Sequence, residues 1–410
     1  MSRLTLVGEK EEFPGVMLYV DKYGIEKIYA YAVIGKGATA IAYKGVRISG
    51  DREEACIIKE YFPELEGENY CSKLVYTRDK VGNPVKIVVK DDRKTPEEKE
   101  RLIEEEKKRQ EQKIKMECEI VRRMYFDGED NNPYIKKAEI LPRMENRGDT
   151  LYVVLDTAKG QTLHSLIREQ GRFSIEVAVD YLEKLLEIIH TLLGEKFLHG
   201  DIKPENIWLQ GNVPNQQMVL LDFGSAFAYQ DYQVEIKKPE GLRAWADGLL
   251  ENTGIGTYSE GYESLLIKQF ADAKENYANE DGDDEEGCTK RAEALLKIMN
   301  QLNISVDIFS AVQMFFYMIT GTIYTEEVVR EELIRELNLS ELVIDYLLEM
   351  MMKNQDNYYT SVDKVKEDLR VLQTLYVKGA HPKVLIQNLR QSMLKSMEID
   401  TVLLGEVKKG

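Results

Sequence analysis

The string His199-Gly200-Asp201-Ile202-Lys203-Pro204-Glu205-Asn206, followed by Asp222-Phe223-Gly224, constrains this chain more than any other feature. It sets a carboxylate that can orient a hydroxyl nucleophile ahead of an Asn and an Asp that can hold a hard cation such as Mg²⁺. These side chains can act together only if the fold brings two separate loops to one place. Phosphoryl transfer needs such parts, because its catalysis rests mostly on positioning and on neutralising phosphate charge.

The pattern along the chain places those loops in a larger frame. Residues 1–29 hold strand-like pieces such as Val16–Val20 and no readable motif. From Tyr29 to Tyr61 the pattern is strand, glycine-containing turn, strand, turn at Ser49-Gly50-Asp51, and strand. Leu74–Thr77 and Val85–Val89 flank a Gly82-Asn83-Pro84 turn and read as a further hairpin. Residues 96–126 are densely charged, with Ile114, Cys118, Val121 and Met124 at helical spacing behind a Thr95 cap and Pro96. Leu151–Asp156 reads as a buried strand, and Val177–Leu193 as an amphipathic helix. Strands first and helices later predict a small β-rich lobe ahead of a larger α-rich one.

Composition excludes more than it selects. A hydrophobic content of 43% beside 31% charged residues supports a sizeable core. The net charge of −17 argues against a general nucleic-acid or anionic-membrane surface. Cys56, Cys71, Cys118 and Cys288 are scattered without metal-ligand spacing, so reduced thiols in a cytoplasm are expected. The apolar run Ile308–Ile319 is too short to cross a bilayer, and no N-terminal leader pattern is visible. Residues 268–290 carry eight acids against three lysines and are expected to form a solvated loop.

The eight-residue string resembles the catalytic loop of protein kinases, and Asp222-Phe223-Gly224 resembles their metal-binding motif. The resemblance covers about residues 30–375, with its motifs in the family's order. It implies an α+β, bilobal protein-kinase-like fold. Its implied segments are a 1–29 extension, an N-lobe over 30–158, a C-lobe over 159–375 with the acidic insertion near 268–290, and a helical extension over 376–410. The implied reaction is transfer of the γ-phosphate of ATP, with Mg²⁺, to Ser or Thr hydroxyls of a protein. Gly35 and Gly37 resemble the phosphate-covering loop, whose third glycine is Ala40 here. Lys59 resembles the strand lysine that contacts phosphates and pairs with a helix carboxylate, for which Glu117 fits best and Glu119 is the rival. By the same resemblance Leu155 is the gatekeeper, and Asp156 and Ala158 offer backbone groups to adenine. Asp201 orients the nucleophile, Lys203 steadies the transferred phosphate, and Asn206 and Asp222 hold the metal. Thr257 is expected to hydrogen-bond near Asp201 and Lys203, Glu263 to close the activation segment, and Asp307 to fix the catalytic-loop backbone.

Several positions depart from the family. Gly200 stands where an Arg commonly precedes the catalytic Asp, which predicts independence from activation-loop phosphorylation. Ala42 and Ile57 exchange the usual larger and smaller residues in the roof of the nucleotide pocket. Trp208 replaces a smaller floor residue and either stacks on adenine or fills the pocket. Tyr358 stands where the Arg partner of Glu263 is expected. His-Gly-Asp also resembles aminoglycoside- and choline-type kinases, so a small-molecule kinase is one alternative. A pseudokinase scaffold is the other, engaging a protein partner through the acidic insertion or the C-terminal helices near Leu385, Leu389, Met393 and Met397. Lys59-Glu60-Tyr61-Phe62-Pro63 looks like bacterial members of the family.

Overall fold

The computed structural model describes residues 2–5, 12–36, 40–61, 76–78, 84–86, 95–125, 133–143, 150–157, 159–211, 216–228, 239–252, 259–278, 285–323 and 330–378. A seven-stranded antiparallel sheet forms the small lobe. Its strands are β1 (Ser2–Thr5), β2 (Glu12–Val20), β3 (Glu26–Lys36), β4 (Ala40–Ser49) and β5 (Arg52–Tyr61). Beyond β5 it is completed by β8 (Ala138–Ile140) and β9 (Leu151–Asp156), in the order β1-β2-β3-β4-β5-β9-β8. The β4–β5 turn places Gly50 at φ 60°, a conformation that glycine adopts without a Cβ penalty. Strands β6 (Tyr76–Arg78) and β7 (Pro84–Lys86) form the separate hairpin, with Thr77 opposite Val85. Its expected outer residues lie outside the described ones.

Between sheet strands runs α1 (Pro96–Tyr125). The Thr95 amide donates to Glu98 Oε2 at 2.8 Å and the Glu98 amide to Thr95 Oγ1 at 3.3 Å, a reciprocal cap with Pro96 in the first turn. Its apolar stripe serves both lobes. Ile114 packs with Ile57, Leu151 and Val153 beneath the sheet, whereas Val121 and Met124 join the large-lobe core. One helix thereby links the position of its polar side chains to both lobes.

The large lobe begins with β10 (Gly160–Thr162), α2 (Leu163–Gln170) and α3 (Ile175–Gly194), followed by β11 (Phe197–Leu198), β12 (Ile207–Gln210), β13 (Gln217–Leu220) and β14 (Phe227–Ala228). Strands β10, β12 and β13 make a small sheet, and β11 pairs with β14. Helices α4 (Pro239–Asn252), α5 (Leu265–Ala278), α6 (Glu285–Met299), α7 (Ser305–Thr320), α8 (Arg330–Arg335), α9 (Glu341–Gln355) and α10 (Val362–Lys378) complete it. The run from Ser305 to Ile319 is buried almost throughout, so its hydrophobicity on all sides is that of a central core helix. Among the described residues no helix is long and apolar enough to cross a membrane.

The acidic insertion differs from expectation. Apart from residues 279–284, which lie outside the described ones, it forms most of α5 and the first turns of α6. Phe270 of the insertion enters the large-lobe core, with Ala273 and Tyr277 packed against it, and the flanking Ile267, Ala292, Leu295 and Met299 continue the same faces of the two helices. The charge count hid a helical stripe, because the acids Asp272, Glu275, Glu285 and Glu286 are exposed while apolar residues recur at three- and four-residue spacing. The C-terminal run near Leu385 to Met397 lies outside the described residues.

Truncating Phe270 to Ala should therefore cost about 3–5 kcal/mol of unfolding free energy, as for a fully buried aromatic. Urea denaturation measures this, and a loss below about 1 kcal/mol would mean that the insertion is not part of the core.

Candidate active site

Three elements converge where the lobes meet. Lys59, near the end of β5, is 8% exposed and donates to Glu117 Oε1 of α1 at 2.6 Å and to Asp222 Oδ1 at 3.0 Å. Glu119 is on the solvent side, its side chain 65% exposed and paired with Arg122 at 2.8 Å. Tyr61, two residues after Lys59 and so on the same face of the strand, donates to the other Glu117 oxygen at 3.3 Å. This hydroxyl was not read from the sequence. The alternation of a strand is the signal that places it beside Lys59.

The ammonium is almost dry, so burial alone would lower its pKa. The carboxylates of Asp222 and Glu117 outweigh that and hold it well above the ordinary lysine value. Burial likewise pushes the Asp222 carboxyl up, and the Lys59 charge and hydrogen bond override it, helped by Lys203 and His199. The result lies below the usual carboxylate range. Asp222 sits at φ 62° and ψ 77°, a left-handed conformation that Asp tolerates better than most residues. A short 3₁₀ turn at Phe223–Ser225 follows, and Phe223 packs edge-on to His199 with ring centroids 5.0 Å apart.

The His199–Asn206 loop is held from within and from below. The His199 and Gly200 amides donate to the two oxygens of Asp307 at 2.8 and 2.9 Å. The His199 Nδ1 accepts the Asp201 amide at 3.3 Å, which leaves Nε2 to donate to the Leu221 carbonyl at 3.0 Å. The Asp201 carboxylate accepts Lys203 Nζ at 2.6 Å on Oδ2 and Ser259 Oγ at 2.8 Å on Oδ1. Asn206 Nδ2 donates to the Asp201 carbonyl at 2.8 Å, which fixes the amide's orientation and leaves its Oδ1 as the available ligand atom.

Ser259 also accepts Lys203 Nζ at 2.7 Å, so it makes the contacts expected of Thr257. Thr257 itself lies outside the described residues, as do Gly37 and Ala158. The Glu263 side chain is buried and pairs with Lys268 of α5 at 2.8 Å. Tyr358, in the place of the expected Arg partner, stands in solvent between Lys353 and Lys364. The partner of Glu263 comes from five residues along the chain, a substitution that family offsets could not reveal.

The nucleotide-side residues are brought together only in part. Ile57, Leu155 and Trp208 share one apolar cluster that spans the lobes, in which Trp208 is 2% exposed. The Lys44 ammonium lies 5.6 Å from its ring centroid. Gly35 pairs with Ala42 across β3 and β4, and Ala42 is opposite Lys59 on β5, outside that cluster. Asp156 ends β9, its amide donating to the Lys137 carbonyl at 3.1 Å. Cys56 and Cys118 are free thiols that burial pushes up to about 12, far from a reactive thiolate.

A two-lobed fold with a buried lysine bridging a helix carboxylate and an Asp-Phe-Gly aspartate defines a protein kinase fold. Residues 80–247 of this chain match the protein kinase domain family. A Mycoplasma pneumoniae protein assigned as a serine/threonine-protein kinase is 32% identical over 127 residues, 30% of either chain. Serine/threonine-protein kinase PknA of Mycobacterium tuberculosis is 33% identical over 86 residues, 21% of this chain and 19% of its own. Human death-associated protein kinase 2 is 33% identical over 88 residues, 21% of this chain and 24% of its own. The chain thus spans less than a third of the length of each of these relatives.

The ion pairs have a pH signature. Asp222 contributes stability that is fully present above the unfolded carboxylate value of about 3.9 and is lost as pH falls through its lower folded value. Lys59 does the reverse, its share being present below about 10.4 and lost as pH rises through its raised value. The unfolding free energy of native chain minus Asp222→Asn should therefore be level near neutral pH and shrink below about pH 4. A difference that stays constant down to about pH 2 would contradict the pairing.

Proposed function

We propose that this chain is an ATP- and Mg²⁺-dependent serine/threonine protein kinase of the type lacking the Arg before the catalytic Asp. The observation that carries this reading is the closed Lys59–Glu117–Asp222 bridge beside an Asp201 that already binds a hydroxyl, that of Ser259. Lys59 positions the α- and β-phosphates, with Glu117 holding its ammonium. Asp201 orients the acceptor hydroxyl and takes its proton, and Lys203 offsets charge on the transferred group. The hydroxyl oxygen forms the new bond to phosphorus as the bond to the departing ADP oxygen breaks.

The donor set fits a hard cation. The Asp222 side chain is 47% exposed despite its bond to Lys59, and the Asn206 amide oxygen accepts from none of the described residues. These two residues would hold Mg²⁺, which neutralises phosphate charge when bound. Gly35, Gly37, Ala42, Ile57, Leu155, Asp156, Ala158 and Trp208 form the nucleotide side in this reading, with Trp208 stacking on adenine. A bacterial origin and a cytoplasmic place belong to the same reading, supported by the bacterial relatives and the free buried thiols.

Independence from activation-loop phosphate has two supports. Gly200 has φ 76°, and a Cβ there would lie 3.0 Å from the Ser225 carbonyl oxygen, so this backbone suits glycine. The segment after Asp222-Phe223-Gly224 is anchored instead by packing. In α4, Leu242, Ala246 and Leu249 enter the large-lobe core, and Asp247 accepts Tyr277 of α5 at 2.8 Å.

Transfer from γ-labelled ATP with Mg²⁺ tests the reading. Label on a protein substrate, falling by about 10²–10⁴-fold in Asp201→Asn, is the expected result. Label confined to small molecules would replace it with a metabolite kinase, and ATP binding without transfer would replace it with a scaffold. For the base, ATP should quench Trp208 emission, and the change should vanish in Trp208→Leu. Unaltered emission with ATP demonstrably bound would remove the stacking role.

A further inference from the structure

Arg47 of β4 is 13% exposed on the face of the small-lobe sheet turned away from the cleft cluster, and it meets three carboxylates from three strands. Its Nη2 donates to Glu139 Oε2 of β8 at 2.9 Å. Its Nε lies 3.4 Å from Glu26 Oε1 of β3, and its Nη1 lies 3.6 Å from Asp156 Oδ1 at the end of β9. One planar guanidinium therefore reaches across β5 and ties the first residue of the interlobe connection to both sides of the sheet. Burial pulls the Arg47 charge down, and these carboxylates hold it above the ordinary arginine value. Tyr19 of β2 is buried near the same group, its hydroxyl pushed up by burial and by Glu26, Asp21 and Glu139.

Past this point the chain leaves the sheet. The Thr157 amide still donates to the Ala55 carbonyl at 3.3 Å, and by Gly160 the chain has joined β10 of the large lobe. The Asp156 side chain is thus among the last ties between small lobe and connection. Removing Arg47 leaves Glu26, Glu139 and Asp156 as partly buried carboxylates without their shared cation, a costly arrangement that outward movement of the connection relieves.

We propose that Arg47 is a positioning residue for the nucleotide, holding Asp156 so that its backbone carbonyl stays aimed at the adenine edge. This rests on the ATP reading above. A purely structural staple would change stability and leave the nucleotide parameters alone, whereas a positioning residue changes the KM for ATP in a chain that still turns over. Glu26 and Glu139 belong to the same device, because each fixes the guanidinium from a different strand.

The test uses the full chain with Arg47→Met, which keeps the apolar stem, and Glu139→Gln, which removes the 2.9 Å partner and leaves Arg47 in place. Expected for Arg47→Met is a KM for ATP raised about tenfold with kcat at saturating ATP within about twofold, and for Glu139→Gln a smaller rise in the same sense. Should Arg47→Met fail to fold, the Glu139→Gln KM decides alone. An unchanged KM in the folded variants, or a fall in kcat that matches the rise in KM, overturns the proposal while leaving the kinase reading intact. A wild-type chain that transfers no phosphate from ATP overturns both.

Discussion

The arrangement depends on one buried carboxylate. Asp307, fully enclosed near the start of α7, accepts two consecutive backbone amides of the catalytic loop. Burial raises its pKa, and the two amides and the neighbouring His199 act against that rise. Two amides that would otherwise be buried without partners are satisfied, and the loop takes its direction from the most deeply buried helix of the large lobe. Everything built on the loop inherits that direction. His199 carries it to Leu221, just before Asp222, and Asn206 carries it to the same strand end by accepting the Leu221 amide at 2.8 Å. The two loops that the sequence separates are thus joined at the main-chain carbonyl and amide of a single residue, Leu221.

The cleft carries its charge with little slack. A lysine this dry would be costly unpaired, and a single carboxylate would leave one of its three donors to dominate the balance. Two carboxylates from different elements share it here, one from α1 and one from the segment after β13. The consequence is mechanical as well as electrostatic. Lys59 can hold both partners only while α1 stays in place, and α1 stays in place because its apolar stripe packs into both lobes. Tyr61 adds a neutral donor to Glu117, which aims the carboxylate without adding another charge.

What was legible in the sequence followed from chemistry that depends on short spacing. The His199–Asn206 loop, the turn at Gly50, the helix cap at Thr95 and the core helix at Ser305 each carry their geometry within a few residues. Glu117 against Glu119 was a question of helix rotation, and the apolar positions 114, 121 and 124 point the inward face toward 117. Less legible were contacts whose partners come from elsewhere. Ser259, which holds Asp201 and Lys203, is one such contact, whereas Thr257 lies outside the described residues. Lys268 in place of a distant Arg is a local answer to a buried carboxylate. The acidic insertion misled because net charge describes the solvent face of a helix and says nothing of its other side. Arg47 was silent in sequence, since three strands meet at it only once the sheet is formed.

Gly200 brings these threads together. A residue with φ 76° whose Cβ would crowd the Ser225 carbonyl is a backbone solution, and in the proposed reading it also removes the side chain through which a phosphate would order the neighbouring segment. A segment that loses one source of order needs another, or it frays and takes Asp222 and Ser259 with it. Here the replacement is apolar burial. Helix α4 seats three residues in the large-lobe core and is flanked by the helices of the insertion, through Tyr277 of α5 and Arg243 to Glu285 of α6 at 2.6 Å. Such packing is present whenever the protein is folded, whereas a phosphate must be added. Under the function proposed above, the insertion and the glycine are two halves of one change, in which order that a modification would confer is built into the fold.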